Sequence, residues 1–251
     1  MNEKELAFFT QDELALPDCS SLPMRYLLKC MYVKARRRLG GSVLDDARRF
    51  AWTVDAVSEV YGPALAMRNY FEHRTLRSIV TEISASYQIR RACEVGCGYG
   101  RMTVVLKEFA GHVKGFEREG HFVAVARALL PDIEFEQIDS VASISSDTPY
   151  NLALTNVFLQ HLSDTDVRLA TDALKRLAPN GHVLCIEKTE PFFAVDASDP
   201  GGYMSHPRSI DTYVDLMRPF RLVSVRDRVV EPTCANPRPG TCMLFASPTI
   251  Q

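Results

Sequence analysis

Apolar residues first recur along the chain at helical spacing. Met24, Leu27, Leu28 and Met31 stand at i, i+3, i+4 and i+7, and Pro63 opens a second run carrying Leu65, Tyr70, Phe71, Leu76, Ile79 and Ile83. Residues 22–85 are therefore expected to be helical, with breaks at Gly40-Gly41 and Gly62-Pro63. Residues 1–21 are polar and are expected to be weakly ordered. From residue 91 the rhythm changes to short apolar runs separated by amphipathic segments, the pattern of βαβ units in a parallel sheet. Strands are expected at 92–95, 113–117, 134–138, 152–155 and 183–187, with helices at about 101–110, 120–130 and 164–178. After Lys188 come a loop rich in Gly, Pro and Asp, a short helix near 209–217, and two β-rich stretches, 222–230 and 242–247, suited to antiparallel pairing at a sheet edge. The pattern predicts an α/β fold: a doubly wound, mostly parallel seven-stranded sheet with an antiparallel edge strand, preceded by a helical N-terminal cap. The cap is expected over 1–75 and the sheet domain over 76–251.

Composition agrees with a globular reading. Of 251 residues, 46% are apolar, 24% charged and 9% aromatic, which excludes disorder and collagen and favours one large α/β core with an appended segment. With 29 basic and 31 acidic residues, the net charge of −2 argues against a dedicated nucleic-acid binder. The basic run 34–38 reads better as a solvated helix face than as a contact for nucleic acid or an acidic substrate. The seven cysteines form no Cys-x-x-Cys pair, and Cys93 and Cys97 lack further cysteines at iron–sulfur spacing. The start of the chain has neither a basic nor an apolar leader region, and no stretch approaches the roughly 18 apolar residues of a bilayer span. The expectation is a cytoplasmic protein without membrane contact.

The chemistry concentrates at Glu94-Val95-Gly96-Cys97-Gly98-Tyr99-Gly100-Arg101, where a strand runs into a glycine loop that opens a helix. Glycines at alternate positions let the backbone approach a ligand without Cβ clashes, and a helix start offers free N–H groups. A nucleotide-like ligand is implied. A dinucleotide loop, G-x-G-x-x-G, would require glycine or alanine at 101, where this chain has Arg101. Glu117 ends the second strand 21 residues after Gly96, where a carboxylate can accept hydrogen bonds from ribose hydroxyls. An acid there also disfavours NADP, whose 2′-phosphate it would repel.

The pattern E-x-G-x-G-x-G resembles the first motif of class I S-adenosylmethionine-dependent methyltransferases. The resemblance extends in element order over about 65–250. It implies that Glu94 approaches the methionine amino group and that the backbone of Gly96, Cys97, Gly98 and Gly100 lines the methionine and ribose. Glu117, with Arg118 beside it, matches the second motif. Asp139, with Ser140, ends the third strand and is the candidate for the adenine amine. The run Thr155-Asn156-Val157-Phe158-Leu159-Gln160-His161-Leu162 is similar to the fourth motif, which places Asn156 and Val157 beside the reactive methyl. The turn Pro179-Asn180-Gly181 stands where the family usually has two glycines; Asn tolerates the left-handed conformation.

His161 is the candidate catalytic base, with a structural histidine as the equal alternative. Glu187 and Glu190 flank Lys188 at the end of the fifth strand and are candidates to hold a cationic or hydroxylated substrate, with solvated strand-end charges as the alternative. Residues 196–213, including His206 and Arg208, are the expected substrate-facing insertion. Arg68, Tyr70 and Arg101 are candidates for the cofactor carboxylate, and Tyr70 also for the substrate. No metal is called for. The fourth strand is followed by neither Asn-Pro-Pro-Tyr nor Asp-Pro-Pro-Tyr, which disfavours exocyclic amines of nucleic-acid bases, and no Pro-Cys nucleophile follows a strand. What remains is a nitrogen of a small molecule, with a hydroxyl oxygen close behind. A fold relative that binds S-adenosylmethionine without methyl transfer and a dehydrogenase-type nucleotide binder stay open, as does a homodimer.

Overall fold

The computed structural model describes residues 35, 39–50, 53–61, 63–189, 206–228 and 240–250. The chain divides into two compact units, Met1–Ser42 and Val43–Gln251. In the first, the described part is Ala35 with the turn at 39–42, where the Leu39 N–H donates to the Ala35 carbonyl at 3.2 Å. The apolar repeat at 24–31, the other residues of the basic run, Glu190 and residues 196–205 lie outside the described residues.

In the second unit, α1 (Val43–Phe50), α2 (Val54–Tyr61) and α3 (Pro63–Ser86) precede the sheet. The boundary expected at 75/76 falls inside α3, a single helix. Seven strands follow: β1 (Arg91–Val95), β2 (His112–Glu117), β3 (Glu134–Gln137), β4 (Leu152–Asn156), β5 (His182–Glu187), β6 (Arg221–Arg228) and β7 (Gly240–Ala246). Their order in the sheet is β3-β2-β1-β4-β5-β7-β6. β1 to β5 pair parallel, whereas β7 pairs antiparallel with both β5 and β6. The antiparallel strand thus lies one place in from the edge, and the edge strand β6 runs with the others.

Strand residues alternate between two apolar layers, which is why the central runs read as continuously hydrophobic. Ala92, Leu152, Leu154, Leu184 and Leu244 pack under α3, α4 (Thr103–Leu106) and α5 (Gly120–Leu129). Cys93, Ala153, Val183, Cys185 and Phe245 pack under α6 (Asp164–Leu177) and α7 (Ile210–Met217). The sheet is therefore doubly wound. Ser163 caps α6 by accepting the Asp166 N–H at 3.1 Å, and Asp164 and Asp166 in the first turn oppose Lys175 and Arg176 in the last, matching the helix dipole. The helix expected over 101–110 is reduced to the four residues of α4, flanked by turns. No helix among the described residues is long and apolar enough to cross a membrane.

The functional consequence is topological. β1 has β2 on one side and β4 on the other, so the chain reverses direction across the sheet there. A crevice opens at the carboxyl ends of such strands.

Candidate functional site

That crevice is a cleft of about 700 Å³ at the ends of β1 to β4. Gly96 and Gly98 from the glycine loop, Glu117 and Arg118 from the end of β2, Asp139 and Ser140 after β3, and Val157 and His161 after β4 all line it. Phe122, Ile138, Val141, Phe158 and Leu162 supply its apolar wall, and Glu119, His121 and Asp166 complete it.

The glycine loop needs its glycines for two different reasons. At Gly96 (φ 75°) an added Cβ would fall 2.4 Å from the Phe158 ring, so only a bare backbone lets β1 and the turn after β4 meet. At Gly98 (φ 55°) an added Cβ would meet no protein atom within 4 Å, and the residue lines the cleft. The loop is held to β2: Gly96 and Cys97 both donate to the Phe116 carbonyl, at 2.9 and 3.2 Å, and Gly98 donates to Glu117 Oε2 at 2.8 Å. Glu117 Oε1 accepts the Glu119 N–H at 2.9 Å, which orients the carboxylate at the cleft wall.

Other predicted residues stand behind the wall. Glu94 is 2% exposed and accepts the Thr103 hydroxyl; burial pushes its pKa up to about 8, against the pull of that hydrogen bond and of Arg101. Cys97 is buried against Gly115, and burial raises its thiol pKa well above the ordinary value. Gly100 faces Leu130 and Phe135. Asn156 is buried with its Oδ1 lacking a hydrogen-bond partner. Its neighbour Val157 takes φ 54°, a left-handed conformation costing a β-branched residue of the order of 1–3 kcal/mol.

Three of the candidate substrate residues lie away from the cleft. Glu187 is wholly buried and accepts the Thr155 hydroxyl and the N–H groups of Phe158, Leu159 and Gln160, so it does not face the crevice. Arg208 is also buried, its guanidinium spent on the carbonyls of Leu159, Leu162 and His206 and on Asp164. Tyr70 lies half-exposed on α3, its ring against Phe71 and under Arg74, and does not line the cleft. His206 meets the site region through its backbone, donating to the Gln160 carbonyl at 2.6 Å.

Arg101 is engaged elsewhere too. It donates to Asn69 Oδ1 at 2.9 Å and pairs with Glu72, which also pairs with Arg228 at the end of β6. The Arg101 carbonyl bonds His73 Nε2 at 2.7 Å, and Tyr99 bonds Ser58 at 2.9 Å. Helices α2 and α3 thereby brace the outer arm of the glycine loop. The sequence reading missed this brace; its only advance signal was polar residues on an otherwise apolar helical run.

At His161 the hydrogen bonding assigns a tautomer. The Lys188 N–H donates to Gln160 Oε1 at 2.9 Å, so the Gln160 amide turns its NH₂ toward His161 Nε2, 3.3 Å away. That nitrogen is therefore the one carrying the lone pair.

The parallel sheet reversing at β1, the glycine loop and the carboxylate at the end of β2 are the arrangement of the class I S-adenosylmethionine-dependent methyltransferase fold. Residues 92–181 match the family model described as a methyltransferase domain. Among solved structures, the chain is similar to the N-methyltransferase NodS from Bradyrhizobium japonicum WM9, solved with S-adenosyl-L-homocysteine. The identity is 18% and the TM-score 0.55, over 70% of this chain and 87% of that one. It is also similar to the magnesium protoporphyrin IX methyltransferase ChlM from Synechocystis PCC 6803 with bound S-adenosylmethionine, at 12% identity and TM-score 0.57, over 74% and 84% of the two chains. No curated protein matches the sequence significantly.

Proposed function

We propose that the protein transfers the methyl group of S-adenosylmethionine to a nitrogen of a small cationic molecule, within the cleft at the ends of β1 to β4. The observation that carries this reading is the convergence of Gly98, Glu117, Asp139, Val157 and His161 on that single cleft. The cleft fits the cofactor: the space that a Gly98 Cβ would enter is open, as a ligand lying on the loop requires. Glu117 would accept the ribose hydroxyls, and Asp139 and Ser140 the adenine edge, with Ile138 and Val141 against its faces.

S-adenosylmethionine supplies an activated sulfonium methyl. What the chain must add is alignment and exclusion of water. Phe158, held against Gly96, would wall the cleft beside the methyl, and His161 would take a proton at Nε2 by giving up its contact with Gln160. Asp166, the lining acid assigned neither to the cofactor nor to Arg118, favours an amine. A hydroxyl acceptor is the second reading, favoured by His161 lying in the cleft. A cytoplasmic setting and a small-molecule partner belong to this proposal.

Calorimetric titration with S-adenosylhomocysteine and with NAD tests the cofactor assignment: micromolar affinity for the former and none for the latter is expected, and affinity for NAD alone rejects it. Release of S-adenosylhomocysteine in the presence of candidate amines and phenols tests turnover. Turnover with phenols and not amines would replace the nitrogen reading by the oxygen one.

A further inference from the structure

We propose that Glu187 and Arg208 are paired positioning residues that hold the turn Val157–Leu162 and so set the geometry of methyl transfer, without touching substrate. The inference rests on the methyltransferase reading of the same cleft.

The turn is short, strained and exposed to the chemistry. It leaves β4 through Val157 at φ 54°, coils into a single 3₁₀ turn, Leu159–His161, and places Phe158 against Gly96 and His161 on the cleft wall. A 3₁₀ turn of three residues satisfies few of its own backbone groups. Here the unsatisfied groups are taken up from two sides. Glu187, at the end of β5, gathers the amides of Phe158 and Leu159 on Oε1 at 3.2 and 3.1 Å, and that of Gln160 on Oε2 at 3.2 Å. Its remaining contact, from the Thr155 hydroxyl at 2.9 Å, ties the carboxylate back to β4.

Arg208 gathers the carbonyls at the other end. Nη1 donates to Leu159 at 3.1 Å and Nη2 to Leu162 at 2.7 Å, while Asp164 at the start of α6 takes Nε and Nη2 on one oxygen at 3.2 and 2.8 Å. The signs match the dipole of the turn, with the anion at its amide end and the cation at its carbonyl end. The planar guanidinium reaches both carbonyls at once, which a lysine ammonium on its flexible stem would not do with the same fixed geometry.

The middle of the turn is tied as well. The Gln160 side chain accepts the Lys188 N–H at 2.9 Å and its carbonyl accepts the His206 N–H at 2.6 Å. The segments that flank 190–205 on both sides are thus bonded to one residue of the turn, next to His161. Both charged residues lie in segments that the turn cannot reach by local folding, so the position of Phe158 and His161 depends on them. A displacement of about 1 Å at a reacting centre costs roughly 100-fold in rate.

The test uses the full chain with Glu187→Gln and Arg208→Lys. A carboxamide offers one acceptor oxygen and turns an NH₂ toward the backbone amides; lysine keeps the charge and loses the fork. Folding is checked by circular dichroism, S-adenosylhomocysteine affinity by calorimetry, and the His161 ring by ¹H–¹³C NMR of the S-adenosylhomocysteine complex. The inference expects folded variants with affinity within about 3-fold of wild type, shifted His161 ring signals and kcat lower by about 100-fold. It also expects a double variant no slower than the slower single one, because both residues act through one turn. Unmoved His161 signals, or unchanged kcat in either folded variant, overturn it. The NMR readout needs no acceptor, so it stands even before a substrate is found. A wild-type protein that fails to bind S-adenosylhomocysteine overturns the functional reading and this inference together. Should Glu187→Gln not fold, Arg208→Lys carries the same expectations alone.

Discussion

Gly98 donates its backbone N–H to Glu117 Oε2 at 2.8 Å, so the carboxylate assigned to the ribose also sets the middle of the glycine loop. One side chain thereby couples the end of β2 to the cradle that follows β1. Its second oxygen is fixed by the Glu119 amide. The carboxylate is oriented before any ligand arrives.

Glu117→Gln removes the charge and leaves one acceptor oxygen where there were two. A hydrogen bond to a charged group is worth about 1.5–3 kcal/mol, so S-adenosylhomocysteine affinity is expected to fall roughly 10- to 150-fold. Calorimetry measures this directly, and unchanged affinity would remove Glu117 from the cofactor site.

Gly98→Val sends a side chain into space that contains no protein atom, at the cost of about 1–2 kcal/mol for the left-handed backbone. The protein is expected to fold with a slightly lower Tm and to lose cofactor binding. Binding that survives would mean that the ligand does not lie on the loop.

Burial holds Glu94 protonated to about pH 8 in the folded chain, against an ordinary value of 4.5. The folded state keeps a proton that the unfolded state has lost between those values, so this residue's contribution to stability is intact below about pH 4.5. Within that window it declines by about 1.4 kcal/mol for each step of one in pH, and it levels off above about pH 8. Urea unfolding of wild type and Glu94→Gln at pH 5, 7 and 9 checks this. The variant should gain on wild type as pH rises, and a constant difference contradicts the assignment.

Glu72 is 1% exposed between Arg101 and Arg228, whose guanidinium groups hold its carboxyl below the usual carboxylate range despite its burial. Glu72→Ala leaves two buried cations facing one another and should cost about 3–5 kcal/mol in urea unfolding. Replacing all three residues by apolar ones of similar volume should restore most of that loss, since a buried ion network is seldom more stabilising than well-packed hydrophobic side chains.

His161→Ala is expected to lower kcat by about 100-fold or more while leaving S-adenosylhomocysteine affinity within about 3-fold, as removal of a general base does. Equal activity in the variant would make the residue a structural partner of Gln160 and nothing more.

Much of this molecule is legible from local pattern. Short apolar runs place the central strands because a strand covered on both faces is apolar at successive positions, and glycine spacing places the loop because glycine readily takes φ above zero. The acid at Glu117 is readable for the same reason: the end of a strand in a parallel sheet has a known side of the molecule.

Glu187 and Arg208 were not legible in this way. Both read as charges near a crevice, and both turn inward onto backbone groups 27–29 and 46–49 residues away. The same holds for Arg101, claimed by Glu72 across 29 residues, and for β7, which inserts between β5 and β6. The sequence alone determined which segments are strands, where the backbone can turn tightly and which end of the sheet carries acids, since those follow from each residue's own geometry and period. The tertiary structure decided which charged groups line the cleft and which are spent on buried backbone groups. A buried charge must find its partner wherever folding brings one, and nothing in the local spacing records where that is.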